Sequence, residues 1–231
     1  MRAELPSVGL SAMSLYLPSL RVDLSEWCGW TGQSPQKVSA VVGESFRLPA
    51  PDESVYTMAA TAVLRLIVEQ GLDASEVGYL VLATESGNDN AVGAPIVKGM
   101  VNDALRSMGR VPLNRHAEAY EVKQACLAGV YALKSALRWA TLDGAGGKAI
   151  VVSADIAEYE RGSTGEPTQG AGAVAMLVER NPKLLEIDLS LSGSASDYRG
   201  VDFRKPMRRY QVDGYAAQTE RAHDFPVFSG Q

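Results

Sequence analysis

Cysteine is almost absent from this 231-residue chain, and the two present, Cys28 and Cys126, are too few for a disulfide framework. Histidine is equally scarce, with only His116 and His223. No apolar run reaches membrane-spanning length, and the N-terminus lacks the short apolar core of a secretory signal, so a cytoplasmic location is the expectation. Charge of one sign is also lacking. A formal net charge of −5 is mild and argues against a general nucleic-acid binder. The local exception is Arg199 to Arg209, where Arg199, Arg204, Lys205, Arg208 and Arg209 face a lone Asp202. A solvated face is the preferred reading of that run, ahead of a site for a phosphate-bearing ligand.

What is present is the composition of an ordinary globular protein, on a chain long enough for one large α/β domain or a domain with an appendage. Val8 to Leu17 reads as a strand closed by Pro18, and Leu24 to Trp30 as a short helix capped by Asp23 or Ser25, with Cys28 packed inside it. Asp52 and Glu53 open a longer helix whose apolar stripe runs through Met58, Ala62, Leu66 and Ile67 to Glu69, and Gly71 stops it. The continuous apolar run Val77 to Thr84 predicts a strand buried on both faces. A helix over Pro95 to Met108 follows, then a strand-like run Ala119 to Gln124, then a helix with Val130, Leu133, Leu137 and Ala140 as its stripe. Strands at Ala149 to Ser153, Val174 to Val178 and Leu184 to Leu191 complete the pattern. Such alternation implies a largely parallel sheet covered on both sides, with functional loops at the carboxyl ends of its strands.

Two chemically distinctive residues fall at such ends. Cys126 stands between a strand and a helix, where unpaired N–H groups and the helix dipole favour a thiolate. A small buried apolar cysteine is an equal alternative for it. Glu85 follows the Val77 to Thr84 strand; taken alone it is a solvated loop residue, but beside a thiolate it suits general acid–base work, with burial at the strand end raising its pKa. The pair fits acyl transfer to sulfur, with a carboxylate moving a proton at the adjacent carbon. Gly170 and Gly172 match neither a P-loop nor a dinucleotide fingerprint and are read as allowing close backbone approach.

Three segments then carry a resemblance: Ala83-Thr84-Glu85-Ser86, Glu121-Val122-Lys123-Gln124-Ala125-Cys126, and Ser153-Ala154-Asp155-Ile156-Ala157 with Gly165-Glu166-Pro167-Thr168-Gln169-Gly170-Ala171-Gly172-Ala173-Val174-Ala175-Met176. In this order they resemble the hydroxymethylglutaryl-CoA synthase family of thiolase-like condensing enzymes. The resemblance implies the thiolase-like fold, mainly its N-terminal half, with residues 1–180 carrying the nucleophile and 181–231 leading toward a C-terminal half. It implies a homodimer, a place in the mevalonate route to isoprenoids, and condensation of acetyl-CoA with acetoacetyl-CoA with no metal or other cofactor. Cys126 matches the family's acetyl-accepting nucleophile and Glu85 its general acid/base, with backbone N–H groups near Cys126 as oxyanion donors. Tyr159, Thr164 and Thr168 lie on the segment that borders the substrate tunnel in the family, although a plain surface loop accounts for them nearly as well.

The histidine signal departs from the family. His223 lacks the surrounding apolar pattern of the family's catalytic histidine, so the role is not carried over, and His116 reads as an exposed loop residue. The Asp202-Phe203-Arg204-Lys205-Pro206 and Asp213-Gly214 signals are nevertheless present. Half of a longer enzyme, or one chain of a split enzyme with a separate C-terminal-half partner, is the expectation. Such a half would leave helix faces such as Met58, Ala62 and Leu66 short of packing. Relatives that act on acyl carrier protein in polyketide β-branching, and a non-catalytic half-fold, are the alternatives. A decarboxylating ketoacyl synthase has no need of an acid at Glu85.

Overall fold

The computed structural model describes residues 6–163 and 165–197, together with the backbone of Arg208–Gln211 and Asp224–Val227. It divides into two compact units, residues 1–190 and 191–231. In the second, strands Arg208–Gln211 and Asp224–Val227 pair antiparallel. The basic run before Arg208, the two Asp-containing signals and His223 lie outside the described residues.

The first unit is built on one sheet. Its strands are β1 (Val8–Tyr16), β4 (Val77–Ala83), β5 (Glu118–Val122), β6 (Lys148–Ala157), β7 (Gly170–Arg180) and β8 (Leu185–Glu186), in the spatial order β5-β4-β6-β7-β1-β8. β4 runs parallel to both β5 and β6, whereas β7 is antiparallel to β6 and to β1, and β8 is antiparallel to β1. The sheet is therefore mixed, with its parallel part confined to β5, β4 and β6. Helices α4 (Gly93–Ser107) and α5 (Ala128–Thr141) make the two crossovers between those three strands.

The alternation of side chains across the pleat explains the layers. Leu80 and Leu82 of β4, with Ile150 and Val152 of β6, are buried against α3 (Val55–Glu69) and α4. Tyr79, Val81 and Ala83, with Ala149 and Val151, are buried on the other face against α5. A strand packed on both faces reads as the unbroken apolar run seen at Val77 to Ala83.

Local chemistry sets the helix limits. α3 begins at Val55 because Ser54 and Thr57 form a reciprocal capping box, which leaves Asp52 and Glu53 in the preceding turn. Met58, Ala62 and Leu66 are fully buried within this chain, contrary to the expectation that their stripe would lack packing. On α5 the inward face is Ala128, Ala132, Ala136 and Ala140, small residues that bring the helix close to the sheet, together with Leu137, while Val130 is exposed rather than core. The apolar residues that do face outward include Leu127, Val130 and Tyr131 near the start of α5, and Met13, Leu15 and Leu17 along and just beyond β1.

A smaller layer went unread in the sequence apart from its first helix. α1 (Leu24–Thr31) is capped by Asp23 and followed by α2 (Pro35–Val42), and the hairpin of β2 (Leu20–Asp23) and β3 (Ser45–Leu48) brackets them. Leu24, Trp27, Cys28, Val38 and Phe46 form its core, so Cys28 is a packing residue.

These contacts rank two substitutions. Leu80→Ala in the doubly covered strand β4 should cost about 2–5 kcal/mol by leaving a cavity, and Ser54→Ala about 1 kcal/mol by removing one cap. Urea midpoints of the two variants test this; equal losses would contradict the burial of β4 between two helix layers.

Candidate active site

The parallel register brings the ends of β4 and β5 level with each other and with Ser153 of β6, which runs on to Ala157. Ala83 lies opposite both Val122 and Ser153, so the segments beginning at Thr84, Lys123 and Ala154 emerge side by side at one edge of the sheet. Thr84 N–H still donates to Val122 O at 3.2 Å, carrying the pairing one residue past β4. Glu85 and Cys126 thus belong to adjacent, hydrogen-bonded strand ends.

Cys126 is exposed and unbridged. That removes the packing alternative for it. The sulfur-bearing residue sits on a turn two residues before α5, not inside its first turn: Leu127 N–H donates to Gln124 O at 3.0 Å and Ala128 N–H to Ala125 O at 3.1 Å. Those two N–H groups are engaged, so the oxyanion role expected of donors near Cys126 does not pass to them. Ala125 has a φ of +43°, in the left-handed region. A residue with a Cβ pays about 1–2 kcal/mol there, so surrounding contacts must hold the turn in place.

Glu85 is also exposed, against the expectation of a carboxyl buried at the strand end. Its backbone is firmly held instead. One carboxylate oxygen of Asp155, Oδ1, accepts from Glu85 N–H at 2.8 Å, Ser86 N–H at 2.9 Å, Ser86 Oγ at 2.7 Å and Thr84 Oγ1 at 2.9 Å. Ser86 Oγ in turn accepts from Ile156 N–H at 2.8 Å. Charge-assisted bonds of this kind are roughly twice as strong as neutral ones.

The remainder of the Glu85 loop is fixed from α3 and β5. Asn88 and Asp89 N–H groups donate to the Tyr56 hydroxyl at 2.9 and 3.0 Å, and that hydroxyl donates to the Asp89 carboxylate. Burial acts to raise the Asp89 pKa, but hydrogen bonds from Tyr56 and from Val92 N–H, with the nearby Lys123 charge, outweigh it and hold the carboxyl below its ordinary value. Burial, followed by the Asp89 contact, pushes the Tyr56 phenol up. Lys123 Nζ donates to Gly87 O at 2.9 Å and Asp89 O at 3.1 Å. The role of Asp155 was missed in the sequence, although Asp155 and Glu85 stand the same two residues beyond paired strand positions, Ser153 and Ala83. Tyr56 and Asp89 carried no sequence signal.

Tyr159 lines a cleft of about 590 Å³ whose walls include Trp27, Trp30, Arg161 and Gln169, and whose lining contains neither Cys126 nor Glu85. Tyr159 N–H donates to Gln169 Oε1 at 3.4 Å. Thr168 is exposed and donates to Gly165 O at 2.7 Å, a turn contact. Thr164 falls outside the described residues, and His116 is exposed.

Comparison with known proteins places these features in a family. Residues 5–183 match the family described as hydroxymethylglutaryl-coenzyme A synthase N terminal. A hydroxymethylglutaryl-CoA synthase of Haloferax volcanii is 35% identical over 212 residues, which cover 90% of this chain and 46% of that protein. The solved structure of MvaS in complex with 3-hydroxy-3-methylglutaryl coenzyme A superimposes with a TM-score of 0.79 and 36% identity, covering 93% of this chain and 50% of that one. A curacin-pathway HMG synthase solved with holo donor-ACP gives a TM-score of 0.67 and 26% identity, over 79% of this chain and 43% of that one. The chain thus spans about half the length of the relatives it matches. With a matching model over most of its length and a mixed sheet and helix layers of the thiolase-like kind, this chain belongs to the hydroxymethylglutaryl-CoA synthase family.

Proposed function

We propose that this chain supplies the thioester-forming site of an acyl-condensing enzyme that joins acetyl-CoA to acetoacetyl-CoA. The observation that carries the reading is the exposed thiol of Cys126 on a strained turn, beside a Glu85 segment clamped by Asp155. The Cys126 thiolate attacks the acetyl carbonyl; a new C–S bond forms, the bond to the CoA sulfur breaks, and CoA leaves as its thiol after taking a proton. The enzyme-bound thioester acidifies its methyl hydrogens.

Glu85 carboxylate then removes one methyl proton, and the enolate carbon adds to the ketone carbon of acetoacetyl-CoA. The proton held by Glu85 passes to the new alkoxide. Water cleaves the thioester and regenerates the Cys126 thiol. An exposed carboxyl needs a bound substrate to exclude water from around it, and Glu85 takes up its role as the acyl group covers it. The cleft beside Tyr159 and Trp30 lies at the same unit's surface and offers apolar walls, with Arg161 set among Glu158 and Glu166, for the thioester's carrier arm. Dimer formation and a C-terminal-half partner chain remain part of this proposal.

A second reading rests on the curacin-pathway relative, which was solved with a donor carrier protein. In that reading the acetyl donor is carrier-protein-bound, with the same chemistry at Cys126. Turnover with acetyl-CoA against acetyl-ACP distinguishes the two.

Cys126→Ser replaces a thiolate with a hydroxyl that is hardly ionised at neutral pH, so acetyl transfer should fall on the order of a thousandfold or more while the fold is kept. Acid-stable label from radiolabelled acetyl-CoA measures it. If the unsubstituted protein takes no label on Cys126, the non-catalytic alternative stands.

Glu85→Gln removes only the proton carrier. Labelling of Cys126 should persist, and condensation should drop by about 10²–10⁴-fold. Equal loss of both steps would show that Glu85 acts through structure.

A further inference from the structure

Glu121, the last-but-one residue of β5, points its carboxylate inward, and its side chain has no exposed surface. An ion in that setting is expensive unless partners replace its hydration. One oxygen, Oε2, accepts from Gly93 N–H at 2.8 Å at the start of α4. A Cβ on residue 93 would stand 2.3 Å from that oxygen, so glycine is required there for the approach. The other oxygen, Oε1, accepts no aligned hydrogen bond from the described residues, and Lys123 Nζ lies 3.2 Å from it as an ion-pair partner.

Lys123 is itself only one-fifth exposed. Its ammonium has three donors, and beyond Glu121 it reaches Gly87 O and Asp89 O. Lys123 thus stands three residues before Cys126 and bonds to carbonyls two and four residues after Glu85. Glu121 grips the far end of the same loop, where it becomes α4. Two side chains from the Cys126 strand therefore hold both the middle and the end of the Glu85 loop.

We propose that Lys123, charge-paired with buried Glu121, is a positioning residue that straps the Glu85 loop to the Cys126 turn and so fixes the general acid/base relative to the nucleophile. This rests on the acyl-condensing reading for its catalytic consequence, but the strap itself is a property of the fold. The lysine suits the task because its compact ammonium can serve two carbonyls and a carboxylate at once, whereas the planar fork of arginine cannot reach the same three points. Asp155 fixes the near side of the loop, before Gly87, and the strap fixes the far side.

Removing Lys123 alone would strand a buried carboxylate and endanger folding, so the test uses Glu121→Gln together with Lys123→Met. Glutamine keeps an acceptor for Gly93 N–H, and methionine keeps the apolar stem. Hydrogen exchange in the full chain is the first readout. Amides of residues 87–92 should exchange at least tenfold faster in the double variant, while those of β4 and β6 change less than twofold. The second readout is condensation, expressed as kcat per chain whose buried Cys28 resists alkylation, so that any loss of folded protein cancels. A fall of at least tenfold, with KM for acetyl-CoA within about twofold, is expected.

Unchanged exchange in residues 87–92, or an equal rise throughout the core, would overturn the strap. A loosened loop with unchanged kcat would overturn its positioning role. Failure of the unsubstituted protein to label Cys126 would instead sink the acyl-condensing reading, and the exchange result would still decide whether the strap exists.

Discussion

A single carboxylate oxygen, Oδ1 of Asp155, is the point on which the candidate site depends. Four donors from three consecutive residues converge on it, two of them backbone N–H groups of the Glu85 segment. Such convergence needs β4 and β6 to be parallel, adjacent and in one register, because only then does a residue two positions past Ser153 meet residues one to three positions past its partner Ala83. The sheet core and the site are in this sense one structure. Slip the register by one residue and Asp155 would turn to the opposite face.

Strongly patterned elements were legible from sequence. Val77 to Ala83 announced itself as a doubly covered strand because both of its faces are apolar, and the stripe of α3 was equally plain because it packs on a flat sheet. The sequence was less informative where polarity alone decides. α2, β2 and β3 are short and largely exposed, with few buried anchors to create a period. Strand direction left no mark in the pattern of β7, which is antiparallel to both neighbours yet as apolar as a parallel strand. On α5 the larger apolar side chains suggested Val130 as core, whereas the inward face is four alanines with Leu137, because the helix packs closely on the sheet.

The same contrast holds at the site. Cys126 and Glu85 were found because each follows a readable strand; the sequence left the exposure of Cys126 open, and it missed that of Glu85 because a strand's burial does not extend past its end. Asp155, Lys123 and Glu121 were visible only as parts of a motif. Their roles arise from register and reach, and neither can be computed from one strand at a time. Tyr56 lies further from the motif still, on a helix whose outward positions look like ordinary solvent-facing residues until the loop at 88–89 folds over one of them.

The pairing of β1 with β7 has a consequence for how the chain reaches this state. Val8 lies opposite Arg180 and Tyr16 opposite Ala173, so β1 is synthesised well before the strand it must pair with. Until β7 has been synthesised, β1 has no edge to join, since β7 separates it from the parallel strands. Closing so long a loop costs entropy that no local contact repays. During translation the parallel trio can assemble with α3, α4 and α5 while β1 waits as an apolar tether, and a nascent-chain binder that shields residues 8–16 until residue 180 has emerged would act on a long-range pairing of this sheet.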